Sequence, residues 1–264
     1  MTRAERSYPS TNPGKRQTLL PRKWLVTLTL SADQTHMPQT FVIGDIHGSY
    51  RALLQCLQLS RFDHKQDTLI CLGDVADGWP ETRQAFDELL KIDNLVYLLG
   101  NHDFWALEWM ESGFAHSTWL EQGGQATVNS YSDGIPDSHF DLLKKAKPFH
   151  VRYNELFVHA GIHPNKPLES QGLNTFLWDR SFAEQARHYH AQDENYRLTS
   201  FDSVFVGHTP VFTPQPKQYC EVWMMDTGAG WSGRLSMMNV ETRESFVSEP
   251  VMNLYPGIQG RKKF

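Results

Sequence analysis

The sequence predicts an α/β protein in which two packed β-sheets are flanked by helices. Three observations lead there. In the first half, short apolar runs alternate with segments of helical periodicity, the pattern of βαβ crossovers. In the second half, strand-like runs follow one another closely, which predicts a second, mixed or antiparallel sheet. Finally, several of these runs stop in the same way, at a glycine and a ligand-type side chain.

The elements can be taken in order. The first strand is TFVIGD (40–45), and SYRALLQCLQLS (49–60) puts Leu53, Leu54 and Leu57 on one helical stripe. DTLICLGD (67–74) is the second strand, and PETRQAFDELLKI (80–92) a helix with Pro80 near its start. NLVYLLGNHD (94–103) is the third strand, with FWALEWMES (104–112) helical behind it. Its Phe104, Trp105, Trp109 and Met110 are expected in the core. Residues 139–161 read as a helix and two strands, FHVRYN and ELFVHAG, joined by a tight turn at Asn154–Glu155. SVFVGHTP (203–210), EVWMMDTGAG (221–230) and GRLSMMNVET (233–242) are further strands. No internal repeat or long linker divides the chain.

The bulk numbers set limits. A chain of 264 residues with 40% hydrophobic and 21% charged content supports one soluble domain with a real core. A net charge of −5 argues against a surface for duplex nucleic acid. No run approaches the roughly 20 apolar residues of a membrane span. Cys56, Cys71 and Cys220 are scattered, as expected of buried free thiols in a reducing compartment, and a cytoplasmic location is expected. Residues 1–36 are polar and proline-punctuated, so they read as a disordered extension before a domain spanning 37–264, and Met37 is a candidate initiator.

Chemistry enters at the strand ends. LICLGDVADGWPE (69–81) places Asp74 and Asp77 where a core strand runs out, although an unpaired buried carboxylate is costly. The same ending brings Asp45 and His47, then Asn101, His102 and Asp103, then His159, then His208. Carboxylate, imidazole and amide form a ligand set for divalent ions such as manganese, iron or zinc. In an α/β sheet the carboxyl ends of strands open into one crevice, so residues far apart in sequence can converge. A single catalytic ion needs about three protein ligands. The set is about twice that, which points to two ions sharing a carboxylate. Taken singly, a lone Asp is a turn or cap residue and a lone His a hydrogen-bonded one. That reading is kept for Asp103, His139, His150 and His163, while His188 and His190 are placed on a solvated helix face. For His116 a place in the cleft and a structural role are equally weighted, and Gln122–Gly123–Gly124 suggests a close backbone approach or a turn.

GDIHG (44–48), GDVADG (73–78), GNHD (100–103), VHAG (158–161) and GHT (207–209) together resemble the ordered signature of the calcineurin-like metallophosphoesterases. The chain is most similar to bacterial and phage relatives of the serine/threonine phosphoprotein phosphatases. WLEQGGQATVNSY (119–131), FLWDR (176–180) and DTGAGWSGRL (226–235) extend the likeness. The resemblance implies a four-layer sandwich and two divalent ions, manganese first, with iron, zinc or nickel as alternatives. It implies Asp45 and His47 on the first ion, Asp74 bridging, and Asn101, His159 and His208 on the second. His102 would protonate the leaving oxygen and Asp77 would orient it, after attack by metal-bound hydroxide. The family usually continues past the Asp77 position with Arg-Gly, its arginine gripping phosphate; here Gly78 and Trp79 follow. Arg180 is the expected replacement, Arg234 a weaker one, and Trp79 is a candidate to stack on a base. The expected activity is a serine/threonine-type protein phosphatase acting on a phosphorylated protein or small phosphoester. Alternatives are a symmetrical diadenosine tetraphosphatase or 2′,3′-cyclic phosphate hydrolase, and a non-catalytic scaffold.

Overall fold

A computed structural model describes residues 37–261. The expectations for residues 1–36, including their disorder, lie outside the described residues. Among the described residues ten strands form two five-stranded mixed sheets. They are β1 (Thr40–Ile43), β2 (Thr68–Cys71), β3 (Asn94–Tyr97), β4 (Phe149–Arg152) and β5 (Glu155–Val158), then β6 (Ser203–Val206), β7 (Lys217–Tyr219), β8 (Val222–Met224), β9 (Ser236–Asn239) and β10 (Ser245–Val247). One sheet has the order β10-β9-β1-β2-β3 and the other β4-β5-β6-β8-β7.

Each sheet is parallel where it matters for the site. β1 and β2 run parallel with Ile43 opposite Cys71, and β5, β6 and β8 run parallel with Val158 opposite Val206 and Val206 opposite Met224. The five strand ends therefore deliver their following residues at matched heights. Antiparallel partners, β9 and β10 in one sheet and β4 and β7 in the other, widen the edges.

Three apolar clusters show the four layers. Val42, Ile70, Leu98, Phe157, Phe205 and Met238 pack between the sheets, with Phe157 stacked on Phe205 at 4.8 Å between ring centroids. The helices Tyr50–Leu59 and Thr82–Leu89 cover the outer face of the first sheet through Leu53, Leu57, Phe86 and Leu89. The helices Leu173–Trp178 and Ser181–Gln192 cover the second through Phe176, Phe182 and Ala186. The fold class is thus the expected α/β sandwich.

The details differ in places. The strand expected over 94–103 stops at Tyr97, and Asn101 begins a helix, Asn101–Ser112, because Gly100 and Asp103 cap it: the Asp103 carboxylate accepts the Gly100 N–H at 3.3 Å. The run 233–242 contributes β9 to the first sheet, beside β1, rather than to the second. Strands β7 and β10 were not anticipated; each has three residues and little apolar content. Trp105, Trp109 and Met110 pack against the core cluster while only partly buried. Cys56, Cys71 and Cys220 are free and buried, and burial pushes the Cys56 thiol up to about 12. Among the described residues no helix is long and apolar enough to cross a membrane.

Candidate active site

The residues just beyond β1, β2, β5 and β6 meet at one end of the two sheets. Asp45 and His47 follow β1, Asp74 and Asp77 follow β2, and His159 and His208 follow β5 and β6. Asn101 and His102 arrive from the first turn of the helix Asn101–Ser112. All eight are buried. His47, Asp74, Asp77 and His208 have φ of 49°, 51°, 76° and 59°, the left-handed region. Such conformations cost roughly 1–3 kcal/mol each and persist only where the surroundings impose them. Two glycines make the convergence possible by having no Cβ. A Cβ on Gly100 would lie 2.2 Å from Asp74 Oδ1, and one on Gly207 would lie 2.2 Å from Asp45 Oδ1.

Ligand atoms of Asp45, His47 and Asp74 lie within 4.8 Å of one another, as do those of Asp74, His159 and His208. Asp74 belongs to both groups. The imidazoles are aimed by the backbone: His47 Nδ1 donates to the Ala76 carbonyl at 3.0 Å, and His159 Nδ1 to the Leu72 carbonyl at 2.8 Å. That fixes the tautomer and turns each Nε2 lone pair inward. His159 Nε2 then faces Asn101 Oδ1 at 3.0 Å and Asp74 Oδ1 at 3.4 Å, three electron-pair donors pointing at one spot. His208 Nε2 and Asp226 Oδ2 are buried and have no hydrogen-bond partner among the described residues. Backbone N–H groups and Arg261 satisfy part of this set, but those two atoms are left without a donor, and the remaining convergence of carboxylate, imidazole and amide acceptors fits a pair of divalent ions.

Protonation follows the same logic. Burial, reinforced by repulsion from Asp226 and Asp74, holds the Asp45 carboxyl well above the usual carboxylate range. Burial likewise raises Asp74 to about 7 and Asp226 to about 6. The imidazoles go the other way. Burial pulls His159 down to about 4 and takes His47 and His208 well below 6.5. The ligand histidines are neutral and ready to coordinate, and the carboxylates release protons to do so.

Beside the ligands, His102 Nδ1 meets Asp77 Oδ2 at 2.5 Å. Asp77 is itself held by the Thr127 hydroxyl at 2.8 Å and the Trp119 indole N–H at 2.7 Å, both donating. Burial, then repulsion from Arg261, His159 and Arg180, lowers His102 well below 6.5, and burial raises Asp77 to about 7. The backbone N–H of His102 also donates to Asp74 Oδ1 at 2.9 Å, tying the pair to the carboxylate shared by both ligand groups.

The two expected substrate residues part ways. Arg180 is exposed, precedes the helix Ser181–Gln192, and makes no ion pair among the described residues. Its charge is felt at Asp74, His102, His159 and His208. Trp79 is instead part of the scaffold. It is 1% exposed, stacks on Tyr255 at 5.1 Å and donates its indole N–H to the Ala229 carbonyl at 2.7 Å. One face of its ring is taken by Tyr255, while Trp79 also lines the cleft beside Arg261. Arg234 donates to the Ser248 carbonyl on the framework.

Asp103 is structural, accepting the Val75 and Ala76 N–H groups and the Tyr97 hydroxyl. His139 bridges Tyr131 and Asp87, His150 packs on Phe157, His163 and His188 are exposed, and His190 accepts the Cys220 N–H. His116 is exposed and lies edge-on to Phe114. Gly123 gives the close approach its motif suggested, its carbonyl accepting the Gly78 N–H at 3.1 Å.

Sequence reasoning missed three features. Asp226 follows β8 in WMMD, the same apolar-run signature as the others. Trp105 lies edge-on to His102 at 5.2 Å and Trp178 edge-on to His208 at 6.4 Å, forming an aromatic wall. Arg261 reaches the first ligand group, with Nη1 3.1 Å from His47 Nε2.

Two cation cradles sharing one carboxylate at the edges of a β-sandwich place this chain among metal-dependent phosphoester hydrolases. It belongs to the calcineurin-like phosphoesterases, the family whose model matches residues 39–212. Serine/threonine-protein phosphatase 1 of Salmonella typhimurium is 25% identical over 209 residues, 76% of this chain and 91% of that protein. The symmetrical bis(5′-nucleosyl)-tetraphosphatase of Nitrosospira multiformis is 31% identical over 131 residues, which cover 49% of this chain and only 46% of that protein. A solved structure described as a candidate diadenosine tetraphosphatase superposes with a TM-score of 0.60 at 20% identity, covering 82% of this chain and 95% of that one, a likeness of fold.

Proposed function

We propose that this protein is a dinuclear-metal phosphomonoesterase of the serine/threonine protein phosphatase type. The observation that carries the reading is Asp74, common to two groups of buried ligand atoms, with the His102–Asp77 pair hydrogen-bonded to it. Asp45 and His47 would hold one ion, Asn101, His159 and His208 the other, with Asp74 between them. Bound there, two divalent ions supply charge neutralisation on the phosphoryl oxygens and acidification of a water.

The chain's own groups do the rest. Arg180 orients the phosphate from the side of the second ligand group. The incoming dianion offsets the cations that depress His102, so the imidazole gains its second proton and the Asp77 carboxylate holds it through Nδ1. His102 Nε2 then delivers a proton to the departing alkoxide, which leaves poorly without one. Trp105 and Trp178 exclude water from that face of the imidazoles.

The phosphoprotein reading rests on length: the likeness to the bacterial protein phosphatase runs through nearly all of that relative, and the likeness to the tetraphosphatase through under half of it. A second reading, cleavage of a dinucleoside polyphosphate, is favoured by the higher identity of the shorter match. A cleft of ≈ 650 Å³ beside Arg261, walled by Trp79, Trp231, Met252 and Ile258, has room for a base. The deciding experiment is phosphate release by the Mn²⁺-reconstituted protein on a phosphoserine peptide and on diadenosine tetraphosphate, compared as kcat/KM. Preference for the peptide is expected. Preference for the dinucleotide would move the chain to nucleotide turnover, and activity on neither would overturn the phosphatase reading.

A further inference from the structure

The arginine that the family pattern leads one to expect after Asp77 is absent, and the backbone explains why it is not simply shifted. Gly78 has φ of 90°, a conformation that disfavours any side chain. A Cβ there would also lie 3.0 Å from the Cγ of Arg261. The space a residue-78 side chain would enter is already filled by the stem of an arginine from elsewhere in the chain.

That stem is closely built in. It runs over Gly123 and Gly230, where a Cβ would come within 3.1 Å of Arg261 Cγ and Cδ respectively. The backbone N–H of Arg261 donates to the Gly230 carbonyl at 2.8 Å, and Nε donates to the Gln122 carbonyl at 3.0 Å. The guanidinium lies over Trp231, 4.5 Å from its ring centroid. Three glycines clear its path, two carbonyls hold it and an indole supports its face. Among the described residues it forms no ion pair with Asp45, Asp74 or Asp226. Among those residues its guanidinium makes one further hydrogen bond, to His47 Nε2, so most of the roughly five N–H donors of a guanidinium have no partner there.

We propose that Arg261 is the phosphate-binding arginine of the first ligand group, supplied by the Gly257–Arg261 segment in place of the arginine missing after Asp77. This rests on the phosphoesterase reading above. A rigid, planar, forked donor beside His47 suits two oxygens of a tetrahedral phosphate, and Arg180 approaches the same anion from the His159–His208 side. The Arg261 charge is felt at Asp45, Asp77 and Asp226, where that of Arg180 does not rank among the main influences, and both charges are felt at Asp74, His102 and His208.

The test is orthophosphate binding to Mn²⁺-loaded protein by titration calorimetry, with metal content measured in parallel, on wild type, Arg261→Ala and Arg261→Lys. Arg261→Ala is expected to weaken orthophosphate affinity at least about tenfold with metal content unchanged. Arg261→Lys, which keeps the charge and loses the fork, is expected to recover only part of that loss. Because lysine preserves the stem, it keeps the test informative if alanine disturbs folding. Phosphate affinity within twofold of wild type in both variants would overturn the proposal. So would loss of metal in both, which would make Arg261 a support for His47. Calorimetry reads the clamp whether or not either substrate is turned over, so failure of the clamp and failure of the phosphatase assignment are distinguishable.

Discussion

Replacing Asp77 with asparagine isolates one function of one atom. The Asp77 carboxylate accepts three hydrogen bonds, from Thr127 Oγ1, Trp119 Nε1 and His102 Nδ1. Trp119 and His102 both use Oδ2, and the indole can only donate, so an asparagine must keep its oxygen on that side. Its amide nitrogen then faces Thr127, whose hydroxyl already accepts the backbone N–H of residue 77 at 2.8 Å and can accept again. The hydrogen bonds from Trp119 and His102 survive, the Thr127 contact reverses so that its own O–H turns to another acceptor such as Thr82 Oγ1, and the negative charge is lost. The cost is the worth of a hydrogen bond to an ionised group, about 1.5–3 kcal/mol. If it falls on the protonated imidazole in the transition state, kcat drops roughly 10- to 150-fold. The loss should depend on the leaving group. On an alkyl phosphate or phosphoserine peptide, whose alkoxide needs a proton, the full effect is expected. On p-nitrophenyl phosphate, whose phenolate does not, the change should stay within about threefold. Steady-state kinetics on both substrates, with metal content measured on the same samples, make the comparison. An equal loss on both, or none on either, would refute the assignment of His102 as general acid supported by Asp77.

Other expectations concern metal, pH and stability. His102→Asn should depress kcat about 10²- to 10⁴-fold while leaving metal content near wild type, whereas Asp74→Asn should lose metal and activity together; elemental analysis beside turnover separates them. Metal affinity should rise with pH between about 6 and 7.5. In the metal-free protein burial raises Asp74 to about 7 and Asp226 to about 6 and holds Asp45 well above the usual carboxylate range, so as pH falls through this window the ions must displace more protons. The ligand histidines, lowered by burial, are already neutral in that window and contribute none of the released protons. Calorimetry in buffers of different ionisation enthalpy counts the protons, and an affinity that is flat with pH would contradict this account. Phe157→Ala, which empties half of the stacked pair between the sheets, should destabilise the domain by about 3–5 kcal/mol in urea denaturation without changing kcat/KM per folded molecule.

Much of the site could be read from the sequence because its residues follow a local rule. Asp45, Asp74, His159 and His208 each come within three residues of an apolar strand, where chain direction alone sends them to one edge of the sheet. Asp226 obeys the same rule after β8, so its signal was present in WMMD. Asn101 and His102 could be read as site residues but not as helical ones. The turn into the helix depends on Asp103 capping Gly100 and holding the Val75–Ala76 backbone, contacts between segments that periodicity does not register. Trp79 shows the limit of reading neighbours as partners. It adjoins Asp77 in sequence, yet its ring is claimed by Tyr255 and Ala229 from the far end of the chain. Arg261 marks the opposite limit: YPGIQGRKKF carries no strand, no apolar run and no motif. Only the path over Gly78, Gly123 and Gly230 brings its guanidinium to His47.

The central claim is that Asp74 joins two cations into one centre. Electron paramagnetic resonance of the protein titrated with Mn²⁺ tests it most directly. Two equivalents per chain should give an exchange-coupled spectrum, lost in Asp74→Asn, since Asp74 would hold both ions. Saturation at one equivalent, with the signal of an isolated ion, would contradict the account.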